Sequence, residues 1–188
     1  MNLMLLPLIF VASTALGLVS AQDPDIAAIT VVTGEFTTLR AAWETTGLEG
    51  VLRGPGGPFT VFAPMNNAFE SLPTGFVECL FRPENVAYLT NILSYHIIVG
   101  ASLVSDKLVT GIRTGMLNGD TITIDHLPDN NGFVINDIAN IVEPDIVASN
   151  GVVHAIDSGM SHYCEMNASR YLADFLPFFP FQFLFHQV

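Results

Sequence analysis

Apolar positions along residues 26–52 recur every three to five residues, at Ile29, Val32, Phe36, Leu39, Trp43, Leu48 and Leu52, with Gly34 and Gly47 as breaks. That spacing places them on one side of a helix and predicts two or three short amphipathic helices. The run Arg53-Gly54-Pro55-Gly56-Gly57-Pro58 cannot continue a helix, so it turns the chain into Phe59-Thr60-Val61-Phe62-Ala63, a short buried strand that Pro64 stops. Asn66 or Asn67 can then cap a helix whose first turn contains Glu70. A proline–glutamate opening and the apolar face Val86, Leu89, Ile92, Leu93 predict a helix in 83–98, giving way to a β-branched strand that ends at Gly100.

Beyond Gly100 the period changes. Asn118-Gly119 and Asn150-Gly151 each separate apolar-rich stretches and suit a two-residue hairpin turn, which needs positive φ. Thr121-Ile122-Thr123-Ile124 alternates at period two, and Pro128-Asp129-Asn130-Asn131-Gly132 reverses the chain into Phe133-Val134-Ile135. Strands 145–148 and 152–156 form a further hairpin. Helices early and hairpins late predict an α+β domain.

Composition narrows the function. Half of the 188 residues are apolar, enough for one well-packed core. The 18 acidic against 6 basic side chains give a formal charge of -12, a surface that repels phosphate backbones and speaks against nucleic acid as a partner. Residues 1–21 contain no charged side chain and end in the small pair Val19 and Ala21, which predicts a secretory signal peptide cut before Gln22, with an uncleaved membrane anchor as the rival reading. Export would permit Cys79 and Cys164, the two cysteines, to pair; the alternative is two buried thiols. It would also permit glycosylation at Asn167 in Asn167-Ala168-Ser169.

Residues 161–188 form a C-terminal extension whose phenylalanine-rich part, 172–185, is broken by Pro177 and Pro180. It is too short and interrupted to span a membrane comfortably. The readings open for it are a glycolipid-anchor signal, an apolar tail for self-association or partner binding, and a flexible appendage.

No nucleophile elbow, histidine–metal motif or phosphate loop occurs, so neither an enzyme nor a cofactor or metal is expected. Among the histidines, His96, His126, His154 and His162 lack the spacing of a ligand pair. His154, between Val153 and Ala155 in a strand, reads as a buried hydrogen-bonding residue.

Three segments together carry a resemblance. Thr60-Val61-Phe62-Ala63-Pro64-Met65-Asn66-Asn67-Ala68-Phe69, then Tyr95-His96, then Asn150-Gly151-Val152-Val153-His154-Ala155-Ile156-Asp157 resemble, in order and spacing, the signatures of fasciclin-like (FAS1) domains. The match covers residues 25–160. Two positions depart from the pattern: Met65 replaces a threonine or serine, and Ser158-Gly159-Met160 replaces an aliphatic run ending in proline.

The resemblance implies a β-wedge of two antiparallel sheets flanked by short helices. It also implies a secreted adhesion or matrix module that binds cell-surface or matrix proteins or glycans. Tyr95 and His96 are the candidate recognition surface on that basis, whereas Thr60, Phe62, Pro64, Asn66, Phe69, Asn150, Gly151, His154 and Asp157 read as mainly structural. The competing functions are a carrier of a small apolar ligand and a purely structural matrix component.

Overall fold

The computed structural model describes residues 24–127 and 132–159. The predicted signal peptide, the tail, Cys164, Asn167, His162 and most of the polar loop at 128–132 lie outside the described residues. Six short helices and seven strands follow one another as α1 (Ile26–Val32), α2 (Thr37–Thr46), α3 (Leu48–Leu52), β1 (Phe59–Pro64), α4 (Asn66–Glu70), α5 (Phe76–Leu80), α6 (Val86–Ser94), β2 (Ile97–Val99), β3 (Ile112–Gly115), β4 (Thr121–Leu127), β5 (Gly132–Ile135), β6 (Ala139–Ala148) and β7 (Gly151–Ile156). The expected α+β arrangement is what is found. Helix α2 buries Leu39, Ala42 and Trp43, one stripe at three- and four-residue spacing, and α6 buries Leu89 and Leu93 in the same way.

The strands hydrogen-bond in the order β2-β1-β7-β6-β5-β4-β3. The two antiparallel sheets implied by the resemblance are therefore joined into one, because the ten-residue β6 pairs with β7 along one side and with β5 along the other. Inside it, second and third from the β2 edge, β1 and β7 run parallel, from Phe59 opposite Gly151 to Pro64 opposite Ile156. Distant segments can pair this way because no hairpin links them. The far ends of the sheet approach each other: the Leu117 N–H, in the β3–β4 turn, donates to the Ile97 carbonyl of β2 at 2.8 Å, so the sheet curls.

Each face of this parallel pair has its own core. Val61 and Ala63 of β1 and Val153 and Ala155 of β7 pack with Trp43, Phe36 and Leu52 under the helices. Phe62 and Ile156 point the other way, onto Ile98, Ile122, Ile124 and Ile135. That is why β1 is buried at every position and shows no polar alternation. A fully buried side chain of this size stabilises the fold by about 1.5–3 kcal/mol. By contrast β4, packed on one face only, keeps the alternation with Ile122 and Ile124 inward.

Strand β6 is interrupted twice. Its register with β7 shifts between Ile141 and Glu143 and again between Glu143 and Ile146. Pro144 sits inside this double bulge, where a residue without an N–H removes no ladder bond, and Asp145 takes a left-handed conformation at φ 61°. The two shifts run in the same sense and leave two extra residues in β6, so the alternation of its side chains between the faces is kept. Ile141 thus faces the hairpin core while Ile146 and Ala148 meet the helical one.

Candidate binding site around the signature segments

Parallel pairing of β1 with β7 brings the first and third signature segments side by side, and their polar side chains bond inward. The Thr60 hydroxyl donates to the Ala101 carbonyl and accepts from the Leu103 N–H, both at 2.9 Å. It holds the loop after β2 against the sheet. His154 is buried and stacks on Phe62 with ring centroids 5.5 Å apart. Its Nε2–H donates to the Leu103 carbonyl at 2.7 Å, and its Nδ1 accepts the Asp145 N–H at 3.2 Å. These two bonds require the neutral Nε2–H tautomer, and burial holds the pKa below the ordinary value of 6.5. The structure places His154 as a buried side chain bonded at both ring nitrogens.

Asn150 is a junction between elements. Its Oδ1 accepts the Ile26 N–H at 3.0 Å, its Nδ2 donates to the Leu52 carbonyl at 2.6 Å, and its own carbonyl accepts the Phe59 N–H at 3.0 Å. The start of α1, the end of α3 and the start of β1 meet there. The expected two-residue turn is shifted by one: Ser149 and Asn150 form the loop, and Gly151 opens β7 opposite Ala148. Glycine is required at 151 because a Cβ would lie 2.1 Å from the Phe59 carbonyl oxygen.

Asn66 caps a different helix from the one predicted. Helix α4 has Met65 at its N-cap with no side-chain bond, as befits a residue without a hydroxyl. The Asn66 Oδ1 instead accepts the Thr38 N–H at 3.2 Å and the Thr37 hydroxyl at 3.0 Å, and its Nδ2 donates to the Gly34 carbonyl at 3.1 Å. It so serves the first turn of α2, whose own N-cap, Phe36, has no side-chain oxygen to offer. Phe69 packs against the helical core, and Met65 N–H donates to the Ile156 carbonyl just past Pro64. The Asp157 carboxylate accepts the Asn140 N–H at 2.9 Å and Asn140 Nδ2 at 2.8 Å, tying the end of β7 to the start of β6.

Tyr95 and His96 are not at the surface, contrary to the recognition pair inferred from the resemblance. They are 7% and 3% exposed. The reason is their place at the end of α6, where the chain turns into the central sheet between the two cores. The Tyr95 hydroxyl donates to the Thr121 carbonyl at 3.3 Å and accepts from Asn136 Nδ2 at 2.9 Å, so it fastens α6 to the hairpins. Burial raises its pKa, with the Asn136 bond acting in the opposite sense. The His96 Nδ1–H donates to the Ile92 carbonyl at 2.7 Å, and desolvation lowers the imidazole pKa to about 4.

Cys79 lies in α5, half-buried, with Sγ 3.3 Å from Asn85 Nδ2. Its proposed partner is outside the described residues. Among the described residues no group of three or more His, Cys, Asp or Glu side chains is placed to hold a metal ion.

Three contributors were not singled out in the sequence. Asp145, Ser105 and Asn136 bond to His154, to Asp145 and to Tyr95 respectively. Glu143-Pro144-Asp145, a polar and proline interruption before an apolar run, was the available signal for the bulge that carries Asp145. Nothing local marks the other two.

With the signature side chains turned inward, the surface they support is a separate feature of the domain. An open groove of about 540 Å³ crosses one end of the sheet, between the glycine–proline loop (Gly54, Pro55, Gly57, Pro58) and the strip Ser102, Val147 and Ser149. Val147 is 64% exposed there. Backbone groups, two serine hydroxyls and the Val147 side chain are among the groups that line it.

Comparison with known proteins agrees with this construction. The family model for the fasciclin domain matches residues 34–162. Protein sll1483 of Synechocystis sp. is 38% identical over 140 residues, 73% of this chain and 74% of that protein. The transforming growth factor-beta-induced protein ig-h3 of Sus scrofa is 38% identical over 131 residues, 69% of this chain but 18% of that protein. Human periostin is 34% identical over 65% of this chain and 14% of its own length. Among solved structures, a FAS1 domain pair from the insect cell adhesion molecule fasciclin I superposes with a TM-score of 0.66 at 17% identity, covering 75% of this chain and 52% of that one.

Proposed function

The chain belongs to the fasciclin domain family, and from that premise we propose that it is a secreted adhesion or matrix module, binding cell-surface or matrix proteins or glycans through a surface and performing no chemistry. The observation that carries the reading is the inward commitment of the signature side chains. The polar atoms of Thr60, Asn66, Asn150 and His154 described above bond within the domain, as a scaffold for presenting a surface requires. A cell adhesion molecule with this fold supports the same direction.

In this reading the contact surface is the groove beside Val147, whose glycine–proline loop and serine hydroxyls offer hydrogen bonds to a polypeptide or a sugar. A signal peptide ending at Ala21 exports the chain, the domain spans 25–160, and 161–188 follow as an extension available for self-association or anchoring. N-terminal sequencing of the exported protein is expected to begin at Gln22.

The test is attachment of cells to the immobilised full chain, wild type against Val147→Asp and Ser102→Arg. Both side chains line the groove, so unfolding curves are expected to stay unchanged while attachment falls at least tenfold. Attachment no better than to an inert protein, or full attachment by both folded variants, would sink the reading. An apolar molecule co-purifying with a non-adhesive chain would favour the carrier instead.

A further inference from the structure

The His154 bonds continue beyond the imidazole. Asp145, whose N–H is accepted by Nδ1, uses its carboxylate to accept the Ser105 N–H at 2.7 Å and, in a short contact, the Ser105 hydroxyl. Ser105 opens a single 3-10 turn, Ser105–Lys107. Leu103, whose carbonyl accepts Nε2–H, lies two residues before it. His154, Asp145, Ser105 and Leu103 thus close a ring that pins the 101–108 loop to the sheet through a bulge whose key residue holds a left-handed backbone, a conformation uncommon outside glycine.

The ring has one protonation state. Nδ1 must be an acceptor, and a proton on it would set two N–H groups against each other. The group able to accept that proton's hydrogen bond is near: the carboxylate of Asp145 hangs from the residue whose N–H now faces Nδ1, so rotation about its side-chain bonds brings an oxygen towards the ring.

We propose that His154, Asp145 and Ser105 form an acid-operated latch, in which a proton taken up from solvent by His154 Nδ1 draws the Asp145 carboxylate from Ser105 to the imidazolium and releases the 3-10 turn from the sheet. The other ionisable groups on the elements packed around His154 are few. The 101–108 loop brings Asp106 and Lys107, the latter donating to the Ser102 carbonyl at 3.3 Å. Strand β6 adds Glu143, exposed and in register with Ala155. Strands β1 and β2 bring no ionisable side chain, and His96 lies beyond β1 at the entry to β2. Asp145 is therefore the anion within reach of the ring.

Two opposing influences set where the latch trips. Burial disfavours the imidazolium, while the Leu103 carbonyl and the Asp145 charge favour it. Because the folded pKa is lowered, the unfolded chain takes up the proton first. The contribution of His154 is then complete above pH 6.5 and is lost as pH falls through the folded value. His96 has the same sign, over pH 6.5 to about 4, and its protonation loosens the core itself. Ser102, on the released loop, lines the groove, so the latch would make binding there pH-dependent. That consequence rests on the function proposed above, whereas the latch does not.

Hydrogen exchange of the full chain at stepped pH from 7 to 4, corrected for intrinsic rates, is read beside the NMR titration of the His154 imidazole. Amides in 103–108 and 143–147 are expected to lose protection at least tenfold in step with that titration, before amides of α6 and β1 change. Asp145→Asn should move the His154 midpoint to lower pH by removing the anion that receives it. Ser105→Ala should move it to higher pH by freeing that anion beforehand. Loss of protection everywhere at once overturns the proposal, as does an unmoved midpoint in Asp145→Asn. Should that variant not fold, an unmoved midpoint in Ser105→Ala overturns it equally.

Discussion

Of the three Asn-Gly dipeptides in the chain, Asn118-Gly119 and Asn150-Gly151 lie wholly within the described residues, and they do different work. Around Asn118-Gly119 the bonds are mostly local and exposed: the Asn118 Oδ1 accepts the Asp120 N–H at 3.1 Å, its Nδ2 donates to the Asp120 carboxylate at 2.7 Å and, more weakly, to the Asn91 Oδ1 of α6 at 3.3 Å, and the Gly119 N–H returns to the Met116 carbonyl. Around Asn150-Gly151 they are distant, reaching Ile26, Leu52 and Phe59. The first pair shapes a turn on the surface; the second joins the helical half to the sheet. Identical residues acquire unequal weight because a side chain's contribution depends on what would be left unpaired without it.

The comparison can be broken most directly at the glycines. Gly151→Ala would force a methyl group to 2.1 Å from the Phe59 carbonyl oxygen, in a strand pair held by neighbours on both sides so that neither strand can retreat. The expected loss is at least about 4 kcal/mol, enough to unfold many domains of this size. Denaturant unfolding checks it, and a variant within about 1 kcal/mol of wild type would mean that β1 can move after all.

Next comes Asn150→Ala, which strands the Ile26 N–H and the Leu52 carbonyl in a partly buried position. About 2–3 kcal/mol is expected. Its distinguishing signature is structural: amides at the start of α1 should lose exchange protection while those of β4 and β5 keep theirs.

The smallest effects belong to the other turn. Gly119 has φ +95° and open space where a Cβ would go, so Gly119→Ala meets backbone strain alone, about 1–2 kcal/mol. Asn118→Ala should fall under about 1 kcal/mol, since its partners face water. Thermal melts of the four variants ought to rank Gly151, Asn150, Gly119, Asn118, and an exchange of the two asparagines in that order would remove the basis of the comparison.

Much of the fold was legible along the chain. The apolar stripe of α2, the buried run of β1, the alternation in β4 and the stop at Pro64 all arise from residues within one or two turns of each other. Physical chemistry assigns such patterns without knowing the rest of the molecule. Even the unusual burial of β1 was visible, as an apolar stretch without a polar face. The candidate site was less legible. Tyr95 and His96 looked available for recognition because nothing near them in sequence indicates that both faces of the entry to β2 are covered.

What the sequence by itself determined, then, is the identity of most elements, the α+β class and, through three short segments, the family. Only the tertiary structure decided which polar atoms meet. Asn150 reaches an amide 124 positions away, and Asn66 caps a helix 28 positions before it rather than its own. The parallel pairing of β1 with β7, the joining of the sheet through β6 and the ring at His154 are of the same kind. A helix or turn is encoded by the spacing of neighbours, whereas a buried hydrogen bond is fixed by which distant group the packed core leaves without water, and no local pattern records that.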